Sequence, residues 1–307
     1  MSINLNETGW ADENGNALGE WSNGRDIIFG DDTISLDAGL TANTLNGKDI
    51  IRNNSDDGGV IIGDNATLNT SGGGDFIFSK GFIGIELGNN AVLDTGNGKD
   101  RLFGRGFDGF FLSPSSTIDT GKGNDTISGK GFAVGVGSRG TIKTGDGSDF
   151  IFGQADGPDD EFFGSTGIAN FQGTIDTGNG NDRVVGRGKG TGIDNSSGTI
   201  NTGNGNDLVD ALTGGFDDPD GTGQINLGAG NDLIRGFGNH KGTVDGGDGF
   251  DTAELGFSYD ESLISFGSNG SASLDITYES ATMSFTNFET FGFDGQEFSL
   301  EQLQAEI

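Results

Sequence analysis

Ten aspartates cut this chain into nearly equal lengths: Asp26, Asp49, Asp75, Asp100, Asp125, Asp149, Asp182, Asp207, Asp232 and Asp251. Most intervals are 24 to 26 residues; the one from Asp149 to Asp182 stretches to 33. The flanking sequence returns with them. Ile118-Asp-Thr-Gly-Lys-Gly-Asn-Asp125, Ile175-Asp-Thr-Gly-Asn-Gly-Asn-Asp182 and Ile200-Asn-Thr-Gly-Asn-Gly-Asn-Asp207 are near copies. A period of about 25 residues marks a solenoid, in which one small unit stacks on itself. Each unit then needs only a thin core, which suits an apolar content of 31%.

Two columns of apolar residues run in register with the aspartates. Two residues after each stand Ile28, Ile51, Ile77, Leu102, Ile127, Ile151, Val184, Val209, Ile234 and Ala253. Seven residues before stand Leu68, Leu93, Ile118, Ile142, Ile175, Ile200, Ile225 and Val244. β-Branched residues dominate both, and Thr117-Ile118-Asp119 and Thr126-Ile127-Ser128 alternate polar and apolar, as strands do. Helices are excluded by the 61 glycines, which recur too often for a helical run to persist. A third apolar patch follows in most repeats: Phe82–Leu87, Phe107–Leu112, Phe132–Val136 and Ile193. The expectation is therefore an all-β chain, with three short strands per coil in a right-handed parallel β-helix. Ten coils at ~4.8 Å would give a rod of roughly 45–50 Å. Phe82, Phe107 and Phe132 are expected to stack on one another inside it.

The period sets the boundaries. Residues 1–22 read as an N-terminal cap, with Trp10 and Trp21 plugging the end, and residues 23–257 as the β-helix. Residues 258–307 read as a C-terminal cap: alternation from Ser258 to Phe298 suggests antiparallel strands, and Ser299-Leu-Glu-Gln302 is a capping box for a short last helix. The long interval carries an insertion, Gln154–Phe171, expected to loop out of the rod.

Charge narrows the partners. With 47 acidic and 16 basic residues the formal net charge is −31, which disfavours nucleic acid and anionic membrane surfaces. Bound divalent cations would relieve the self-repulsion. With no cysteine and one histidine, neither a disulfide nor a zinc site is expected. The first residues have no basic start and no apolar run, so no secretory signal peptide is expected, and no 18 consecutive apolar residues suggest a membrane span.

The turn itself points to a metal. In Thr120-Gly-Lys-Gly-Asn-Asp125, alternate glycines permit a tight bend that aims backbone carbonyls into one concavity, and the aspartate adds a carboxylate. Ca²⁺ takes six to eight oxygens, carbonyls among them, so two stacked turns can share one ion. Asp26 and Asp49 lack the Thr-Gly lead-in and are weaker candidates. Plain turn propensity is the competing explanation for a single copy, but not for eight in register.

These repeats resemble the repeats-in-toxin (hemolysin-type) calcium-binding proteins, whose signature is a glycine-rich nonapeptide G-G-x-G-x-D-x-U-x. Gly246-Gly-Asp-Gly-Phe-Asp251-Thr-Ala253-Glu follows it closely, and the likeness covers residues 69–254. The resemblance implies several Ca²⁺ ions held by the carboxylates of Asp75, Asp100, Asp125, Asp149, Asp182, Asp207, Asp232 and Asp251. It adds carbonyls from the first turn position, Thr95, Thr120, Thr144, Thr177, Thr202, Leu227 and Gly246. Further carbonyls come from the third position, Asn97, Lys122, Asp146, Asn179, Asn204, Ala229 and Asp248. Only one turn per coil matches, so a single row of ions and a wider three-sided coil are expected. The tail, Phe285-Thr-Asn-Phe288-Glu-Thr-Phe291, resembles the region that closes such repeats. The resemblance also implies type I export to the cell exterior and folding driven by external Ca²⁺.

No residue is assigned to catalysis. The chain reads as a secreted, calcium-binding structural or surface-interaction protein, with an extracellular polysaccharide or a second rod as further partners. The rival reading is a polysaccharide-active, lyase-like enzyme or sugar-binding module. Its candidates are the basic ladder Lys80, Arg105, Lys130 and Arg187, and the insertion acids Asp156, Asp159, Asp160 and Glu161. An outward threonine file, Thr67, Thr117, Thr141, Thr174, Thr199 and Thr243, allows an ice-binding reading. His240 is expected in a loop.

Overall fold

The computed structural model describes residues 2–158, 164–260, 264–266 and 273–306. It is a parallel β-solenoid of about 8 turns, 56% strand and 2% helix. Each coil has three sides. On the first, Ile27–Gly30, Ile50–Asn53, Phe76–Lys80 and Arg101–Leu112 pair in parallel, and the file continues to Thr252–Glu254. The second side runs through Thr33–Leu36, Gly59–Ile62 and Ile83–Leu87 to Thr166–Asn170 and Thr191–Asp194. The third stacks three-residue strands, from Thr41–Asn43 through Thr117–Asp119 to Thr199–Asn201.

Both apolar columns face inward, and every member is at least 98% buried. Ile85, Phe110, Val136, Ile168, Ile193 and Phe216 make a third internal stack. Each such side chain contributes roughly 1.5–3 kcal/mol by leaving water. The threonine file is in register on the outside of the third side.

The phenylalanine expectation is half right. Phe82, Phe107 and Phe132 do stack, with ring centroids 5.3 and 5.7 Å apart, but on the outside: Phe82 is 62% and Phe132 43% exposed. The interior at this corner belongs to Gly81, Gly106 and Gly131. A β-carbon on Gly81 would come within 1.5 Å of the Gly58 carbonyl oxygen. Backbone fills the corner, so the rings must turn out.

The insertion is shorter than expected. Gln154 and Ala155 finish a strand, and Thr166–Asn170 supplies Ile168 to the internal stack. The extra length lies between Asp156 and Ser165, and Asp159, Asp160 and Glu161 fall outside the described residues.

Both ends are closed by other means. Ile3–Leu5 lies parallel on Thr33–Leu36, and Trp10 packs on Trp21 at 5.2 Å against the core. At the far end Ala281–Thr286 adds to the third side and Thr290–Phe293 to the first, each within an antiparallel hairpin. Phe285, Phe288, Phe291 and Phe293 seal the core. Ser299 and Gln302 exchange the capping-box bonds at the helix Leu300–Glu306. No helix among the described residues is long and apolar enough to cross a membrane.

The second glycine of each turn has no substitute. Gly123 sits at φ 147°, and a β-carbon there would stand 1.3 Å from the carbonyl oxygen of Gly98. The same approach recurs at Gly147, Gly180, Gly205, Gly230 and Gly249. Gly123→Ala is therefore expected to lower the melting temperature steeply or abolish folding, costing on the order of 3 kcal/mol or more. Gly164→Ala, where the space is open, should melt like the parent. Circular dichroism melting curves compare the two.

Candidate metal centre

The strand alternation that carries Ile127 inward carries Asp125 inward too, two residues earlier. The bend from Gly121 to Asn124 swells outward between Thr120 and Asp125, which form its buried neck. All ten repeat aspartates are buried, from 0% to 6% exposed. Most charged side chains avoid such positions unless paired.

One carboxylate oxygen is used identically in every coil. The N–H of Asp26 donates to Asp49 Oδ1 at 2.8 Å, and Asp49, Asp75, Asp100, Asp125, Asp149, Asp182, Asp207 and Asp232 each donate to the next aspartate. The N–H of Asp251 ends the chain on Glu289 Oε2, at 2.7 Å. Bonds to an ionised acceptor are worth roughly 1.5–3 kcal/mol each.

The second oxygen separates the aspartates into two groups. Asp26 Oδ2 accepts the N–H of Ser22, and Asp49 Oδ2 accepts the hydroxyl of Thr44. In Asp75, Asp100, Asp125, Asp149, Asp182, Asp207, Asp232 and Asp251 the buried Oδ2 has no hydrogen-bond partner. The satisfied pair are the two whose turns carry a single glycine, Gly24 and Gly47. In the later coils the neck threonine stays near its aspartate and weakly favours the charged carboxylate, without closing a hydrogen bond to Oδ2. Thr120, Thr144, Thr177 and Thr202 direct their hydroxyls to the carbonyls of Thr144, Thr177, Thr202 and Leu227 in the next coil.

The expected carbonyls are therefore partly engaged. Besides those first-position oxygens, the carbonyls of Asn97, Lys122, Asp146, Asn179, Asn204 and Ala229 each accept an N–H from a glycine one coil earlier. Each carbonyl keeps a second lone pair. Asp248 pairs in register with Ala229, and Gly246 lies beside Asp251 at the end of the file. Among the described residues no three acids converge on one point; the carboxylates lie in single file, one per coil. The donor set is all oxygen, with an open carboxylate oxygen in eight coils. That chemistry fits a hard cation such as Ca²⁺ and does not fit zinc.

Burial dominates the acid–base behaviour of this file. It raises Asp100, Asp149 and Asp207 to about 7, with repulsion from neighbouring aspartates adding to it. Asp75 and Asp232 rise to about 6 for the same first reason. Asp125, Asp182 and Asp251 also rise through burial.

His240 is not in a loop. It lies in the short strand Asn239–His240, fully buried, its Nδ1 3.9 Å from Asp218 Oδ2. Burial lowers its pKa, which keeps the ring neutral. Sequence reasoning also missed an internal amide ladder in which Asn170 Nδ2 donates to Asn195 Oδ1 at 2.8 Å. Compared with known proteins, the chain matches no family model and no curated protein.

The raised carboxyls fix the sign of a pH effect. In the unfolded chain they ionise near 3.8, in the fold near 6 to 7. Their contribution to stability is full below the lower value and is lost as pH rises through the upper one. In chelator, the melting temperature is expected to fall between pH 4.5 and pH 8. Asp149→Asn keeps the Oδ1 acceptor and removes the buried charge. At pH 8 in chelator, where the parent has little ordered structure, it should restore part of the fold through a gain on the order of 2 kcal/mol, and at pH 4.5 it should change little. Thermal melts at the two pH values, both proteins side by side, check this.

Proposed function

We propose that this chain is a secreted, calcium-binding β-solenoid with a structural or surface-interaction role, whose folding is coupled to Ca²⁺ uptake. The observation that carries it is the division of the aspartates. The eight that follow a full glycine turn each keep one buried carboxylate oxygen without a partner, and the two without that turn are satisfied by Ser22 and Thr44. A buried file of like charges needs protons or cations, and at neutral pH outside a cell calcium is the abundant choice.

The Oδ2 atoms of the eight aspartates would hold the ions, with the first- and third-position carbonyls, such as those of Thr120 and Lys122, as further ligands. Calcium supplies positive charge to a file that otherwise repels itself. The residues of the chain do the rest: the glycines bring the turns into contact, and the Oδ1 bonds hold each carboxylate facing its neighbour. With a net charge of −31, the free chain resists compaction, and binding energy becomes folding energy.

Elemental analysis of the purified protein is expected to find several calcium ions per chain. Circular dichroism is expected to show little ordered structure in chelator at pH 8 and β structure in millimolar Ca²⁺. A chain fully folded at pH 8 and free of calcium would end this reading. Asp182→Ala should weaken calcium affinity and lower the calcium-loaded melting temperature by removing a ligand; an unchanged melt would remove Asp182 from the site. Deleting residues 299–307 is expected to block export while leaving calcium binding intact.

A further inference from the structure

The cations of this acidic protein are not scattered. On the first side of the rod, five consecutive strands run from Phe76–Lys80 to Arg183–Arg187, paired in register. Their outward positions carry no Asp or Glu, although the chain has 47. They carry Lys80, Arg101, Arg105, Lys130, Arg183 and Arg187, six of its 16 basic residues.

Aromatic rings border these cations on both sides. Phe82, Phe107 and Phe132 stack along one edge of the column formed by Lys80, Arg105 and Lys130. They line an open groove of about 520 Å³ with those three cations, and Asp56 and Asp156 stand at its two ends. Across the column lies a second groove of about 430 Å³, lined by Phe76, Phe78, Phe103 and Phe152 and sharing Arg105 and Lys130. Farther along, the guanidinium groups of Arg183 and Arg187 lie over Phe150 and Phe152 at 5.4 and 5.8 Å.

Charge balance explains part of the column. Lys80 pairs with Asp56, and Lys130 with Asp156 at 2.7 Å. Arg105, between them, makes no ion pair with the described residues. Ion pairing also leaves the 62% exposed ring of Phe82 unexplained, and an exposed ring costs solvation free energy.

We propose that this face binds an extended anionic polysaccharide, of the polyuronate type, laid along the rod axis. The carboxylates would meet Arg105 and its neighbours, and the apolar faces of the sugars would stack on the two rows of phenylalanine. The fit is electrostatic and geometric: Lys80, Arg105 and Lys130 place one cation per coil at ~4.8 Å before Gln154 interrupts the column, and the net charge of the rest of the chain repels a polyanion. Nucleic acid fits less well, because one phosphate per ~3.4 Å of each strand meets far more repulsion from a protein of this net charge. The proposal is independent of the calcium reading.

The test is affinity electrophoresis or calorimetry on the full chain in millimolar Ca²⁺, with polygalacturonate, neutral dextran and a single-stranded oligonucleotide as probes. Polygalacturonate is expected to bind in preference to both others, and Arg105→Glu and Phe82→Ser should each weaken it about tenfold or more. Circular dichroism of both variants, which alter exposed side chains, should match the parent. The proposal is overturned if the folded parent ignores polygalacturonate or binds the oligonucleotide as tightly. It is equally overturned if both variants bind like the parent, because bridging through bound calcium would then account for the attraction. Failure of the calcium reading would show itself separately, in the chelator spectrum.

Discussion

Everything in this rod hangs on a buried carboxylate that accepts a backbone N–H from the coil before it. The bond recurs from Asp26 to Asp251 with little change in length. It fixes the axial register at the glycine-rich corner of each coil. It also forces negative charge into the interior, where the charge is costly without protons or cations. Stability and metal dependence are thus two aspects of one arrangement. In an aspartate, the oxygen that bonds the coils brings a second oxygen and a negative charge with it.

The glycines make that arrangement possible. With no β-carbon, the second glycine of each turn lets the carbonyl below approach its α-carbon, and the turn stacks as closely as the strands do. A side chain there would hold successive corners apart while the strands stayed together. The aspartate of one coil could then no longer reach the N–H of its neighbour. Sheet, corner and carboxylate file are geometrically locked to one pitch.

Much of this was legible in the sequence, for a physical reason: a solenoid repeats its environment, so each inward position is sampled many times. The columns through Ile127 and Ile118 and the third strand follow from periodicity, and the Ser299 capping box from its local motif. Other features escaped because composition was weighed above alternation. Phenylalanine suggests an interior, yet Phe82, Phe107 and Phe132 each follow a glycine at a corner already filled by backbone. The burial of the aspartates was recoverable, since the alternation of each strand, continued one residue back past its start, places the aspartate on the same inward side as the isoleucine. The unpartnered Oδ2 atoms were not. They depend on where the threonine hydroxyls turn, and Thr44 and Thr120 share a residue type but bond differently. His240 was misplaced because its flanking Asn239 and Lys241 are polar, while the strand Asn239–His240 is only two residues long.

The last N–H of the aspartate file goes to Glu289, a residue of the closing segment rather than of a repeat. To that glutamate the end of the rod looks the same wherever the rod stops. A whole coil could be gained or lost upstream, and the terminal lid would still find a donor of the same kind at the same corner. The lid is matched to a junction and not to a count of coils.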